Sequence, residues 1–139
     1  MKQKKEYKEQ PEYILQKQFV AWMRLQYPKV VVFSDTAAHI KKTKLQQIRA
    51  NALQSGWKQP DVFIAQPSGE FSGLWLELKA ETPYRIDGKL KAGDHLRSQR
   101  ESMQKLIESG FAAQFVWDID QAKALISGYF NGLLKDYTV

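Results

Sequence analysis

Residues 73–80 read Gly-Leu-Trp-Leu-Glu-Leu-Lys-Ala, apolar enough for a buried strand, yet they carry Glu77 and Lys79. Side chains alternate faces along a strand, so these two point the same way, roughly 6.5–7 Å apart. Charged side chains are rarely buried unless paired or bound to a metal. A second β-type run, Asp-Val-Phe-Ile-Ala at 61–65, precedes it across the turn Gln-Pro-Ser-Gly-Glu-Phe-Ser. Two such runs around a Pro/Ser/Gly turn predict a hairpin. Antiparallel pairing then sets Asp61 beside Glu77. Two adjacent carboxylates repel, and one keeps its proton near neutral pH unless a cation removes the penalty.

The remaining elements follow from periodicity. Pro11 opens a helix over residues 12–27, with Leu15, Phe19, Trp22, Met23 and Tyr27 at three- and four-residue steps. Glu12 and Gln16 share one face near its start. Pro28 stops that helix, and Val30, Val31, Val32 and Phe33 predict a buried strand. A second helix is expected over 43–54, with Gly56 as its stop. Residues 81–93 are polar and read as a loop, whose Tyr84, Arg85 and Lys89 either contact nucleic acid or simply move. Asp94 can cap a helix to Ser109, with Leu96, Met103, Leu106 and Ile107 inward. Residues 111–117 form a further strand, and Asp118 or Asp120 caps a last helix to about Phe130. Helices alternating with short strands give an α/β or α+β sandwich around one mixed sheet.

Composition narrows the chemistry. The 139 residues contain no cysteine, which excludes disulfides, thiol catalysis and cysteine–zinc sites. His39 and His95 are the only histidines, and both read as surface or capping residues. No apolar run reaches the roughly 18–20 residues that span a bilayer. The start, MKQKKEYKEQ, lacks the apolar stretch of a signal peptide, so a cytoplasmic protein with no membrane partner is expected. Residues 1–10 read as a flexible basic arm and 11–139 as one domain.

The formal net charge of +6 is concentrated. Residues 36–60 hold Lys41, Lys42, Lys44, Arg49 and Lys58 and no acid. Such a stretch suits a polyanion, or is simply a solvated helix face. Lys41, Lys42, Lys44 and Arg49 are the phosphate-backbone candidates. Trp57 stands next to them as a candidate for stacking on a base, whereas Trp22, Trp75 and Trp117 read as core. Magnesium takes oxygen ligands, often one or two carboxylates completed by water and phosphate. Asp61, Glu77 and the Leu78 backbone carbonyl form such a set, with Lys79 placed to assist attack on a phosphodiester. Glu12 either completes the set or only favours its helix N-terminus. Gln16 and Gln99 are hydrogen-bonding candidates for the site or a phosphate. A nucleic-acid-binding module that does not cut shares the basic stretch but has no use for converging Asp61, Glu77 and Lys79.

Gln59-Pro60-Asp61 followed by Glu77-Leu78-Lys79 resembles the signature of the PD-(D/E)XK nuclease superfamily. The rest resembles its VRR-NUC (virus-type replication-repair nuclease) group. Glu12 and Gln16 match the opening helix, Trp22 and Tyr27-Pro28 its continuation, and Gly56 the glycine shortly before Pro-Asp. Gly73, Leu74, Trp75, Glu77, Leu78 and Lys79 match the G-L-W-x-E-L-K strand. Gln99 matches a glutamine on the next helix, and Asp120, Ala122 and Ile126 the closing helix. The match departs at Lys58-Gln59, where many members have Gly-Val or Gly-Ile. The resemblance implies a restriction-endonuclease-like α-β-β-β-α-β core with a mixed central sheet flanked by helices. It implies cleavage of DNA dependent on magnesium or manganese, with Asp61, Glu77, Lys79 and Glu12 catalytic. Stand-alone phage and bacterial members resemble Holliday-junction resolvases. They imply a homodimer acting on branched DNA (a four-way junction, fork or flap) in replication, repair or recombination. A sequence-specific restriction-type enzyme shares the catalytic set, although the short chain leaves little room for a recognition domain.

Overall fold

The structure, a computed structural model, describes residues 9–134 and 139. Most of the expected N-terminal arm, residues 1–8, lies outside these. Helix α1 spans Pro11–Gln26, with proline in its first turn where no N–H is needed. Strand β1 is Val32–Ser34 and helix α2 is Lys44–Leu53. Strands β2 (Val62–Ile64) and β3 (Leu74–Leu78) form the expected hairpin. Helix α3 (Asp94–Glu108), strand β4 (Ala112–Val116) and helix α4 (Ile119–Phe130) complete the chain. The sheet order is β1-β2-β3-β4. The first two pairings are antiparallel and β3–β4 is parallel. A parallel pair needs a crossover, and α3 lies within it. This is the α-β-β-β-α-β core with its mixed sheet.

The two faces of the sheet are covered unequally. On one face α1 and α4 bring Leu15, Phe19, Met23, Ala122, Ile126 and Tyr129 against Val62, Ile64, Leu74, Leu76, Leu78 and Val116. Full burial of a side chain such as Phe19 stabilises by about 1.5–3 kcal/mol. On the other face α3 packs against β4, with Met103 buried on Ala113 and Phe115. Among the described residues nothing comparable lies over β1 and β2 on this side.

That asymmetry corrects one expectation. The Val30–Phe33 run reads as a buried strand, but β1 is shifted two residues later and stands at the sheet edge, with Phe33 63% exposed. Helix α2 is bounded by a capping box at Thr43 and buries none of its residues. Gly56, with φ of +96°, lies three residues past Leu53 and so terminates the turn after the helix, not the helix itself. Asp94 is the first residue of α3 and pairs with Arg97 at 2.7 Å, while Gly93 holds the cap position at φ +138°. Asp118 does cap α4, accepting from the Asp120 and Gln121 N–H groups. Within the expected loop, Tyr84 bridges to Leu90 and its ring packs on Phe115 and Trp117, so it is not a free DNA contact.

Gly73 shows what the strand motif requires. Phe63 stacks on Trp75 with centroids 4.3 Å apart and meets Phe111 edge-on. A Cβ on residue 73 would fall 2.6 Å from the Phe63 ring and 3.0 Å from the Ile64 carbonyl oxygen. The ring is held by two aromatic neighbours, so making room for a Cβ means breaking that stacking. Gly73→Ala is therefore expected to destabilise the fold by about 1–3 kcal/mol. A urea titration with an unchanged midpoint would show that Phe63 yields freely.

Candidate active site

The site forms where β2 begins and β3 ends. The register pairs Val62 with Leu76 and Phe63 with Trp75, so the next step sets Asp61 opposite Glu77. Both lie on the α3 side of the sheet, as does Lys79. Asp61 Oδ2 accepts the Leu78 N–H at 2.8 Å. A side chain thus takes the bond that a strand backbone would otherwise make. One more step pairs Leu78 with Pro60, which has no N–H to give. The Leu78 carbonyl, on the same side of the strand as its N–H, gets no ladder partner from β2. The Pro-Asp dipeptide therefore ends the ladder and fills the gap with a carboxylate.

Glu77 is buried and Asp61 half-buried, and both carboxyl groups are harder to ionise than usual. Glu77 is 6% exposed. Burial, then the neighbouring charge of Asp61, push its pKa up to about 9, while Lys79 opposes the rise. Asp61 is also raised, mainly by burial, against the Leu78 N–H bond. The closeness of the two carboxyl groups raises Glu77 further and works against the rise of Asp61. Gln99 Nε2 donates to Glu77 Oε1 at 2.6 Å from the buried face of α3, and its own Oε1 is buried without a partner among the described residues. Lys79 Nζ lies 5.9 Å from the Phe115 ring centroid, on the site's side of the sheet. Glu12, in the first turn of α1, is near enough for its charge to raise both acids.

Gln16 departs from its expected role. It is buried, and its Nε2 donates to Ser34 Oγ at 2.7 Å and to the Asp35 carbonyl at 2.9 Å. Its Oε1 lies 2.9 Å from His39 Nε2, and a carbonyl oxygen only accepts, so the ring donates there. Gln16 is a clasp between α1 and the end of β1, and it holds His39 against Tyr13. Asp35 is a residue that sequence reasoning passes over. Extending the β1–β2 register sets it opposite Asp61, whose carbonyl accepts its N–H at 2.8 Å. Its carboxylate turns away to the Ala37 N–H at 2.9 Å. Lys41, Lys42, Lys44 and Arg49 are exposed on and before α2. Among the described residues none of them forms an ion pair. They do not converge with the carboxylates.

The donor set suits a hard cation. Among the described residues no three His, Asp or Glu side chains gather as a metal cluster. Two carboxylates plus a backbone carbonyl leave positions for water and phosphate, which is the usual manner of magnesium.

Glu77 has a stability consequence. Its folded pKa, about 9, exceeds the ordinary 4.5, so the native state holds a proton that the unfolded chain releases. Metal-free protein should be most stable at or below pH 4.5 with respect to this group and lose that contribution as pH rises to about 9. Glu77→Gln should flatten the decline. Parallel pH profiles of unfolding free energy in chelator for the two proteins would refute the raised pKa of Glu77.

No protein-family model matches the chain, and no curated protein matches it. Among solved structures, a VRR_NUC domain protein is similar over 90% of this chain and 92% of its own, with a TM-score of 0.60 and 20% sequence identity. With the element order, the mixed sheet and the Pro-Asp and Glu-Leu-Lys strands already in place, this likeness fixes the architecture: the chain has the fold of a VRR_NUC domain protein.

Proposed function

We propose that the chain is a VRR-NUC nuclease that hydrolyses phosphodiester bonds in DNA with magnesium or manganese. The carrying observation is the buried Asp61–Glu77 pair with Lys79 on the same face of the sheet. Two adjacent acids that both resist ionisation are costly for a fold, and a divalent ion offsets that cost. The likeness to a VRR_NUC domain protein and the absence of a Ser-His or Cys-His arrangement agree with this reading.

Asp61, Glu77 and the Leu78 carbonyl are the groups that would hold the ion, with Glu12 near enough to support it. When bound, such a cation neutralises phosphate charge and lowers the cost of forming hydroxide from water. Gln99 fixes the orientation of Glu77 through one carboxyl oxygen. Lys79, a cation held by the sheet next to that carboxyl, stabilises negative charge as it develops on the phosphate. Lys41, Lys42, Lys44 and Arg49 hold the DNA backbone.

We assign branched DNA as the substrate and a homodimer as the working form. Symmetric cutting of a junction needs two sites in fixed geometry. The α2 side chains Leu45, Ile48 and Leu53 are 55%, 57% and 89% exposed, an apolar surface that the chain itself leaves uncovered.

Labelled four-way junctions, forks, flaps and linear duplex, incubated with and without magnesium, test this. Cleavage should require the metal and favour the branched forms, with two chains per particle in light scattering. Asp61→Asn, Glu77→Gln and Lys79→Ala should each lower the rate by about 100-fold or more while remaining folded. Metal-dependent cutting that survives in all three would reject the assignment.

Phosphate contacts have a separate signature. The slope of log affinity against log salt should fall by about 0.9 for each of Lys41, Lys42, Lys44 and Arg49 replaced by Ala. Unchanged slopes would make the basic stretch a solvated surface.

A further inference from the structure

Because α3 covers only one half of its face of the sheet, the other half is open. It forms a cleft of about 920 Å³, within the span of roughly 300–1,000 Å³ typical of ligand sites. The floor is aromatic. Phe63 lies flat on Trp75, and Phe33, its register partner on β1, stands beside it 63% exposed. Trp57, 55% exposed, belongs to the segment between α2 and β2 that forms one wall. That segment is fastened across the cleft, since the Lys58 N–H donates to Ser102 Oγ on α3 at 2.8 Å. Lys58 and Lys105 are the cations of the lining, Lys105 paired with Glu108 at 3.0 Å. Asp61 also lines the cleft, so the cleft reaches one member of the carboxylate pair.

We infer that this cleft receives an unpaired nucleotide of the DNA strand, its base against Trp57 and Phe33 and its phosphate directed toward Asp61 and Glu77. This rests on the nuclease reading above and narrows its substrate to DNA with an unstacked base beside the scissile phosphate. Three features select that occupant. Exposed aromatic faces are costly in water and are matched by the π-face of a base, which paired and stacked DNA does not present. Since the cleft reaches Asp61, its occupant extends into a site built for a phosphate. Lys58, part of the basic stretch at 36–60, lies in the lining together with the acids Asp35 and Asp61, a polar mixture that fits a nucleotide better than an aliphatic ligand.

The test reads binding without cleavage. Full-length, metal-free protein is titrated into duplexes that carry one 2-aminopurine, either paired or as a single-nucleotide bulge. The bulged probe should be quenched and bound about tenfold more tightly than the paired one, as stacking on aromatic side chains implies. Trp57→Ala and Phe33→Ala should each reduce bulge affinity by about 5- to 100-fold, and Trp57→Phe should retain most of it. Both positions are more than half exposed, and near-UV circular dichroism checks that the variants fold. Equal affinity for the two probes, absence of binding, or a bulge preference that survives both alanine variants would overturn the proposal. So would conversion of a dimer to a monomer by Trp57→Ala, which would make the cleft a contact between subunits. The two readings separate cleanly. No cleavage by magnesium-loaded wild type with quenching intact rejects the nuclease and keeps the cleft. Vigorous cleavage with no quenching does the reverse.

Discussion

Two carboxylates at the end of a hairpin have too little water and too little distance to ionise together. Asp61 and Glu77 stand opposite each other, and burial raises both pKa values. Much of the surrounding structure exists to impose that proximity. The β2–β3 register sets the acids opposite each other, Pro60 ends the ladder at that point, and Asp61 caps the Leu78 N–H that the ladder leaves free. Gln99 grips the far side of Glu77 from another helix. The arrangement is unfavourable to the isolated fold, and positive charge supplied there would relieve it.

The same register explains how the site stays open. Even-numbered positions on β2 and β3, Val62, Ile64, Leu74, Leu76 and Leu78, go to the face closed by α1 and α4. The odd-numbered positions, from Asp61 and Phe63 to Trp75, Glu77 and Lys79, go to the face that α3 covers in part. Stability and chemistry are thereby assigned to opposite sides of one three-residue and one five-residue strand. A one-residue slip would exchange them entirely. Gly73 guards against such a shift locally, because the Phe63 ring occupies the space where any other side chain would begin.

Most of this was legible in the chain because local rules determine it. Helix periodicity, proline positions and turn residues foretell all eight elements to within a few residues, and strand alternation together with the turn places Asp61, Glu77 and Lys79. What escaped was set by tertiary context. Four consecutive apolar residues at 30–33 carry no information about whether a helix will cover them, and Phe33 ended exposed at an edge. Asp35 has no motif of its own; only the β1–β2 pairing brings it opposite Asp61. Gln16 shares the Glu12 face of α1 as its spacing requires, but its partners come from segments eighteen to twenty-three residues away. A side-chain amide reports that a polar partner is needed and says nothing about which one.

These failures of local reasoning share a location. Phe33, Asp35 and Gln16's partner His39 belong to the segment that follows α1, and Trp57 to the one that follows α2. Phe33, Asp35 and Trp57 line the cleft over the uncovered half of the sheet. Local and global preferences agree where the core is built and part company along this border, where apolar rings face water and cations stand without partners among the described residues. A sequence under selection for stability alone would replace Phe33 and Trp57 by polar residues at almost no packing cost, since neither is buried. Two exposed aromatic side chains beside a carboxylate site are what the proposed nucleotide cleft would account for.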